Sequence, residues 1–338
     1  MPTPNAKPTS TPHPSGSDDQ SHGVLPQQNV YLRQVHRTPL TPIQLERDGD
    51  PIWCKLEFLN PSGSTKDRIA RHILECAWRQ GAIGPGSVVV EASSGSTSIA
   101  FALACSQMGL RFVAYIPEAA TSERELIIRA YGGEVRRIPG NMSHVLDAAR
   151  EASATKKWFL GNQFANAANV EAHRRSTGTE ILEQIPGGYV DAVVSGIGTG
   201  GTLRGLYQAF AEAGCNVSAH AAIPRNGEQW ANDPECCSIP FSSNVPGVVE
   251  GLSKLYSSWN CTNLREWQID DRECIGLTQK LWSMGFPVGP SSGLNLAAAL
   301  KVAALLGPNR HIVTVFPDRM ERYFSHKVFK SIVDDTRT

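Results

Sequence analysis

Short apolar runs alternate with amphipathic stretches from Val88 onward, and this alternation confines the chain to an α/β architecture. Residues 88–91 read as a buried strand, Ser96–Met108 as a helix, 111–116 as a strand, 121–131 as a helix and 134–138 as a strand. A second series starts with a strand at 191–195 and a helix at 202–213, and ends with a strand at 312–316. Strands separated by helices pair in parallel, so the expectation is two parallel-sheet units enclosing a cleft where a small molecule can bind. No repeat of solenoid period interrupts the pattern.

The 338 residues are enough for a sizeable core, and Lys plus Arg equals Asp plus Glu at 32 each. With no run of like charge to track a phosphate backbone, nucleic acid is not an expected partner. The eight cysteines form no CxxC pair and several sit in apolar patterns, which reads as mostly buried free thiols of a reducing compartment. Cys236 and Cys237 lie in a polar stretch where a redox role competes with the plainer reading of unused thiols. Residues 1–27 are rich in Pro, Ser, Thr and Gly without an apolar run, so they read as a disordered tail. His13, Asp18, Asp19 and His22 in it are read as solvated, and no metal is assigned. Nothing approaches a membrane-spanning length, and the tail lacks the features of a secretory or import signal. A soluble cytoplasmic protein with no membrane partner is the expectation.

Lys66 ends the small-residue stretch NPSGSTKDR, 60–68, where an amphipathic helix carrying Ile69, Ile73, Leu74, Ala77 and Trp78 begins. The positive end of the helix dipole and burial both favour the neutral amine, which can condense with a carbonyl. An ordinary surface lysine is the alternative on this stretch alone.

Two glycine- and serine-rich loops follow strands and open helices. In GIGTGGT, 196–202, the amides can face an anion and Thr199 and Thr202 add hydroxyls, so the loop suits a phosphate. Gly196, Gly198 and Gly201 also satisfy GxGxxG, but the acid expected ~20 residues on is missing from 216–224, which weighs against a dinucleotide. In EASSGSTSIA, 91–100, the hydroxyls and amides of Ser93, Ser94, Gly95, Ser96 and Thr97 suit a carboxylate, with a serine-rich N-cap as the plainer alternative. A third loop, GPSSG at 289–293, precedes a helix read over 294–306.

Together, and in this order along residues 30–330, these motifs resemble the cysteine synthase and cystathionine β-synthase family of fold-type II pyridoxal-phosphate enzymes. QFAN at 163–166, His173, Thr177, Gly178 and DRMERYFS at 318–325 resemble further family signatures. The resemblance implies two Rossmann-like domains. Residues 28–59 and 161–330 would form the larger, cofactor-binding one, and 60–160 a smaller, mobile, substrate-binding one. It implies pyridoxal 5'-phosphate held on Lys66 as the internal aldimine, with Lys66 also the proton-transfer group. Gly198, Thr199, Gly200, Gly201 and Thr202 would hold the phosphate, and Ser291 would meet the ring nitrogen. Ser93, Ser94, Gly95, Ser96, Thr97 and Gln163 would receive the substrate carboxylate, with Ser96 also beside the cofactor.

A neutral serine at the ring nitrogen makes a weaker electron sink than a carboxylate, which favours loss of a β-substituent through an aminoacrylate. The implied partners are a small amino-acid substrate and a second copy in a homodimer. The implied activity is β-replacement on O-acetylserine or O-phosphoserine, with cysteine desulfhydrase-type elimination as the alternative and an idle cofactor-binding scaffold as a reading from another class. Two departures bear on this choice. Ser96 stands where the family usually has asparagine, and 250–258, EGLSKLYSS, replaces the usual glycine-rich later loop. The SSGS loop and VGPSSGLNL, 288–296, are more similar to a branch that includes cysteine desulfhydrases.

Overall fold

The computed structural model describes residues 32–35, 37–45, 49–225, 253–325 and 329. The expected tail and the Cys236–Cys237 pair lie outside the described residues, as do positions 250–252 of the later loop.

The chain opens with β1 (Leu40–Ile43), β2 (Ile52–Lys55) and α1 (Lys66–Arg79), followed by a regular alternation. This runs β3 (Val88–Ala92), α2 (Ser96–Met108), β4 (Arg111–Pro117), α3 (Ser122–Ala130), β5 (Glu134–Ile138), α4 (Met142–Lys156) and β6 (Phe159–Leu160). These four strands form one parallel sheet in the order β5-β4-β3-β6. Successive side chains point to opposite faces, so Val89, Phe112 and Ala114 join α1 and α2 in one core while Val90, Val113 and Tyr115 pack with Val145, Leu146 and Ala149 of α4. α2 is apolar nearly all round because it is covered by the sheet, α1 and α3. It stops at Gly109, whose φ of 67° is the left-handed conformation a helix end favours.

The second unit adds α5 (Ala167–Ala172), α6 (Thr179–Gln184), β7 (Ala192–Gly196), α7 (Gly201–Glu212), β8 (Ser218–Arg225) and α8 (Lys254–Ser257). It ends with β9 (Leu264–Asp270), α9 (Asp271–Ser283), α10 (Pro290–Leu306) and β10 (Ile312–Val315). Six strands form a sheet in the order β1-β2-β10-β7-β8-β9, sandwiched between α10 with α9 and the α7 side. Leu294, Leu296 and Val302 of α10 are fully buried, each stabilising the fold by ~1.5–3 kcal/mol relative to exposure.

Two differences from the expected pattern have clear causes. The second sheet is mixed, because β1 pairs antiparallel with β2 across a connection too short for a crossover, and its Pro42 is tolerated on an edge strand. The helix expected over 294–306 starts at Pro290, since proline suits the first helical position. Ser291 therefore stands on the first turn of α10 and not in a loop. Among the described residues, no helix is long and apolar enough to cross a membrane.

Candidate active site

Lys66 is the first residue of α1, and its mounting is rigid. The Asp67 carboxylate accepts from Ser62 N (2.8 Å), Ser62 Oγ (2.5 Å) and Ser64 N (3.4 Å), folding the preceding loop onto the helix start. Thr65 N donates to Pro317 O (2.8 Å), and Arg322 donates to Gly63 O and Ser62 O, tying the loop to the segment after β10. Two residues along, Arg68 is buried between Glu57 (2.6 Å) and Glu180 (2.7 Å), and Glu180 also meets Lys55 (2.8 Å). Although burial alone would raise it, the guanidinium beside Glu57 holds that carboxyl at about 2. The Lys66 amine itself makes no hydrogen bond with a described residue. Burial pushes its pKa down, with the Asp318 carboxylate opposing, so the amine is poised toward the neutral form that attacks a carbonyl.

The glycine loop opens α7. Gly200 has φ 75°, and a Cβ there would lie 2.8 Å from Tyr256 Cβ, so only glycine fits beneath α8. A Cβ on Gly201 would fall 2.0 Å from Asn169 Oδ1. Asn169 in turn donates to Thr199 Oγ1 (2.9 Å), and Ser253 donates to Thr199 O, which braces the loop from behind. The amides of Gly198, Thr199 and Gly200 have no acceptor among the described residues. At the start of a helix such amides form a ready anion site. Thr202 Oγ1 meets His173 Nε2 (3.1 Å), and His173 Nδ1 meets Thr177 Oγ1 (3.0 Å). A π-turn over His173–Gly178 carries both. Burial lowers His173 to about 3, so the ring is neutral and orients the Thr202 hydroxyl without charge.

The serine-rich loop opens α2. Ser93 Oγ is used inside it, paired with Ser98 Oγ (2.7 Å) and accepting from Gly95 N and Ser98 N. Its hydroxyl shapes the loop and leaves the amides of Ser94, Ser96 and Thr97 without an acceptor among the described residues. Thr97 Oγ1 donates to Gln163 Oε1 (2.7 Å) and Gln163 Nε2 to Ala92 O (2.8 Å), so Gln163 joins the loop to the end of β3. Ser96 Oγ crosses to the other unit and donates to Asp318 Oδ2 (3.3 Å).

Ser291 is buried beside Gly289, whose amide donates to Asp318 O (2.9 Å). Asn295, one turn on, accepts from Gly196 N (2.6 Å) and donates to Val315 O (2.8 Å), fixing α10 to the carboxyl ends of β7 and β10. The structure thus gathers Lys66, the 94–97 loop and the Asp318 segment beside the first turn of α10, and it puts the 198–202 loop at the carboxyl end of β7. The described part of the later loop, 253–258, packs behind the 198–202 loop.

Sequence reasoning gave no role to Asp318, Arg124, Tyr323, Asn169 or Asn295. The first and third lie in a recognised signature. Asn295 falls within the quoted 288–296 stretch, whereas Arg124 and Asn169 have partners far along the chain and no local pattern marks them.

Pyridoxal phosphate fits this donor set. Thr65 Oγ1 and Ser292 Oγ, next in the chain to Lys66 and Ser291, and Asp318 Oδ1, whose carboxylate acts on the Lys66 amine, are buried with no hydrogen-bond partner among the described residues. Buried polar atoms are nearly always paired, so such atoms mark where a polar ligand or water belongs. A lysine on a helix start between two α/β units, with an amide-lined loop at a strand end, defines a fold-type II cofactor enzyme. The family model for pyridoxal-phosphate dependent enzymes matches residues 31–318, and the chain belongs to that family.

A cysteine synthase from Staphylococcus aureus is 32% identical over 303 residues, covering 86% of this chain and 94% of its own. O-ureido-L-serine synthase of Streptomyces lavendulae is 31% identical over 311 residues, 91% of this chain and 94% of its own. A crystal structure of O-ureido-L-serine synthase superposes with a TM-score of 0.76 at 31% identity, covering 89% of this chain and 95% of the other. A variant of a hydrogen sulfide-producing enzyme from Fusobacterium nucleatum, crystallised with an α-aminoacrylate intermediate, superposes with a TM-score of 0.78 at 29% identity over 90% of this chain and 92% of the other.

Proposed function

We propose that this pyridoxal-phosphate enzyme acts at Cβ of a serine- or cysteine-derived amino acid, replacing the β-substituent by sulfide or another nucleophile as a cysteine synthase-like transferase. When bound, the cofactor supplies an electron sink conjugated with the amino acid's Cα. Gly198–Thr202 hold its phosphate, and Ser291 offers its ring nitrogen a neutral hydroxyl. Ser94–Thr97, with Gln163 bracing Thr97, hold the substrate carboxylate. The Lys66 amine would take the proton from the amino acid's Cα, with the electron pair left behind expelling the β-substituent.

The observation that carries this reading is the partly buried Lys66 amine, without a hydrogen-bond partner among the described residues, in the field of the Asp318 carboxylate, whose backbone carbonyl accepts from Gly289 just before α10. A carboxylate at Ser291 would force a protonated ring and a longer-lived carbanion. An idle scaffold finds no support, since the lysine, phosphate loop and Ser291 are all retained.

One observation favours a second reading, β-elimination releasing pyruvate and ammonia. Ser96 is shorter than the family's usual asparagine and is drawn toward Asp318, leaving room beside the substrate. The same reading takes residues 60–160 as the unit that closes over substrate, and the protein as a cytoplasmic homodimer.

The test is direct. Purified protein given pyridoxal phosphate should show the visible band of the lysine-bound cofactor, and Lys66→Ala should abolish it. Product assays with O-acetylserine, O-phosphoserine, serine and cysteine then separate replacement from elimination. An unchanged band in the alanine variant would remove the central claim.

A further inference from the structure

Behind the serine-rich loop runs a closed chain of contacts through three buried side chains. Arg124, on the first turn of α3 and 1% exposed, donates from Nη1 to Ser94 O (2.9 Å). Its guanidinium lies over the Tyr323 ring, 5.0 Å from the centroid. Tyr323, also 1% exposed, donates its hydroxyl to Asp318 Oδ2 (2.7 Å). The same oxygen accepts from Ser96 Oγ, which returns the path to the loop two residues beyond its start. Gly95, between these two serines, lies directly on the arginine, since a Cβ there would come within 2.2 Å of Arg124 Cδ.

Both flanks of the loop are therefore gripped, while the amides of Ser94, Ser96 and Thr97 have no acceptor among the described residues. The grip is itself anchored. Ser325 meets the Glu123 carboxylate through its amide (2.7 Å) and hydroxyl (2.9 Å), and Thr121 Oγ1 donates to Arg322 O (3.1 Å). Asp318 keeps Oδ1 buried and without a partner among the described residues, against Gly289 at the start of α10.

We propose that Arg124, Tyr323 and Asp318 are positioning residues that hold the 94–97 loop in the shape that receives the substrate carboxylate, linking that loop to the segment after β10. This rests on the reading of 94–97 as the carboxylate loop. Arg124 carries the most, because it meets a loop carbonyl with a charge-assisted bond and fills the space under Gly95. Tyr323 acts through Asp318, whose second acceptor contact orients Ser96. None of the three needs to touch the substrate.

The experiment uses the full chain loaded with pyridoxal phosphate and compares wild type with Arg124→Lys, Arg124→Met and Tyr323→Phe. O-acetyl-L-serine is the probe, titrated by the change in visible absorbance, and amide hydrogen exchange is followed over 93–98. Arg124→Met should raise the apparent Kd at least tenfold and Tyr323→Phe about threefold, with Arg124→Lys between wild type and the methionine variant. All three should speed exchange at 94–97 while cofactor content stays at the wild-type level. If Arg124→Met does not fold, the other two variants decide. Wild-type Kd and exchange in both, or a loss of binding that follows cofactor loss step for step, would overturn the proposal. A wild-type protein whose band does not respond to the probe would instead sink the reading of the site itself.

Discussion

Ser291, by its proposed place at the cofactor ring nitrogen, would separate this site from those in which a carboxylate meets the ring. Its hydroxyl is buried on the first turn of α10, and Asn295 one turn later fixes that helix to β7 and β10. A neutral hydrogen bond is worth ~1 kcal/mol, so Ser291→Ala should slow turnover of O-acetyl-L-serine only about fivefold. Ser291→Asp puts a formal charge at the same point, which favours a protonated ring and should cost more, at least tenfold. Steady-state kinetics on both variants, with cofactor content measured alongside, gives the order. Equal turnover by the aspartate variant and wild type would take the ring nitrogen away from this serine. Lys66 and Ser291 stand out in the sequence as candidates because each lies in a compact motif near a helix start, although the helix after Ser291 is read four residues too late. Asp318 lies in a legible signature, but its bond to Ser96 joins residues 222 positions apart and only folding reveals it.

At the scale of elements, β3, α2 and β5 fell where hydrophobic period and turn residues indicated, because each is bounded by glycine or polar breaks, and β3 and α2 are also buried along nearly their whole length. The strands β1, β2, β6, β8 and β9 escaped: β1 contains a proline, β6 is only two residues long, and β9 reads as the polar LREWQID of an edge strand. The π-turn at His173–Gly178 also has no sequence mark, yet it lines up His173 with both Thr177 and Thr202. Its burial carries a pH consequence. Folded His173 binds a proton only near pH 3, whereas the unfolded side chain does so near 6.5. Between these values the unfolded state holds more protons, so His173 makes stability fall on acidification, by up to ~1.4 kcal/mol per pH unit. Urea unfolding of wild type and His173→Gln at pH 4.5, 5.5 and 7 should show a shallower decline in the variant, which has no proton to gain. Parallel curves would mean that the imidazole is charged or exposed in the folded protein.

Across the whole molecule, the two units are joined differently behind and in front of Lys66. In front, the contacts are hydrogen bonds such as Ser96 to Asp318 and Ser325 to Glu123, with Arg124 over the Tyr323 ring. Behind it, Arg68 and Lys55 face Glu57 and Glu180, four charges buried together, while Ile69, Ile73 and Leu74 of the same helix belong to the core of the smaller sheet. The helix bearing the lysine is thus packed into one unit and pinned by charge to the other. Two positive and two negative groups balance, so loss of one leaves an uncompensated buried charge, at a cost of ~3–5 kcal/mol. Arg68→Met should lower the unfolding free energy by that amount, as read from urea midpoints and slopes. Adding Glu57→Gln should recover part of it, because the neutral amide no longer needs the guanidinium. Replacing the arginine for less than ~1 kcal/mol, with no recovery in the double variant, would mean that the network is not what pins α1. Both units would then have to be held by their apolar contacts alone.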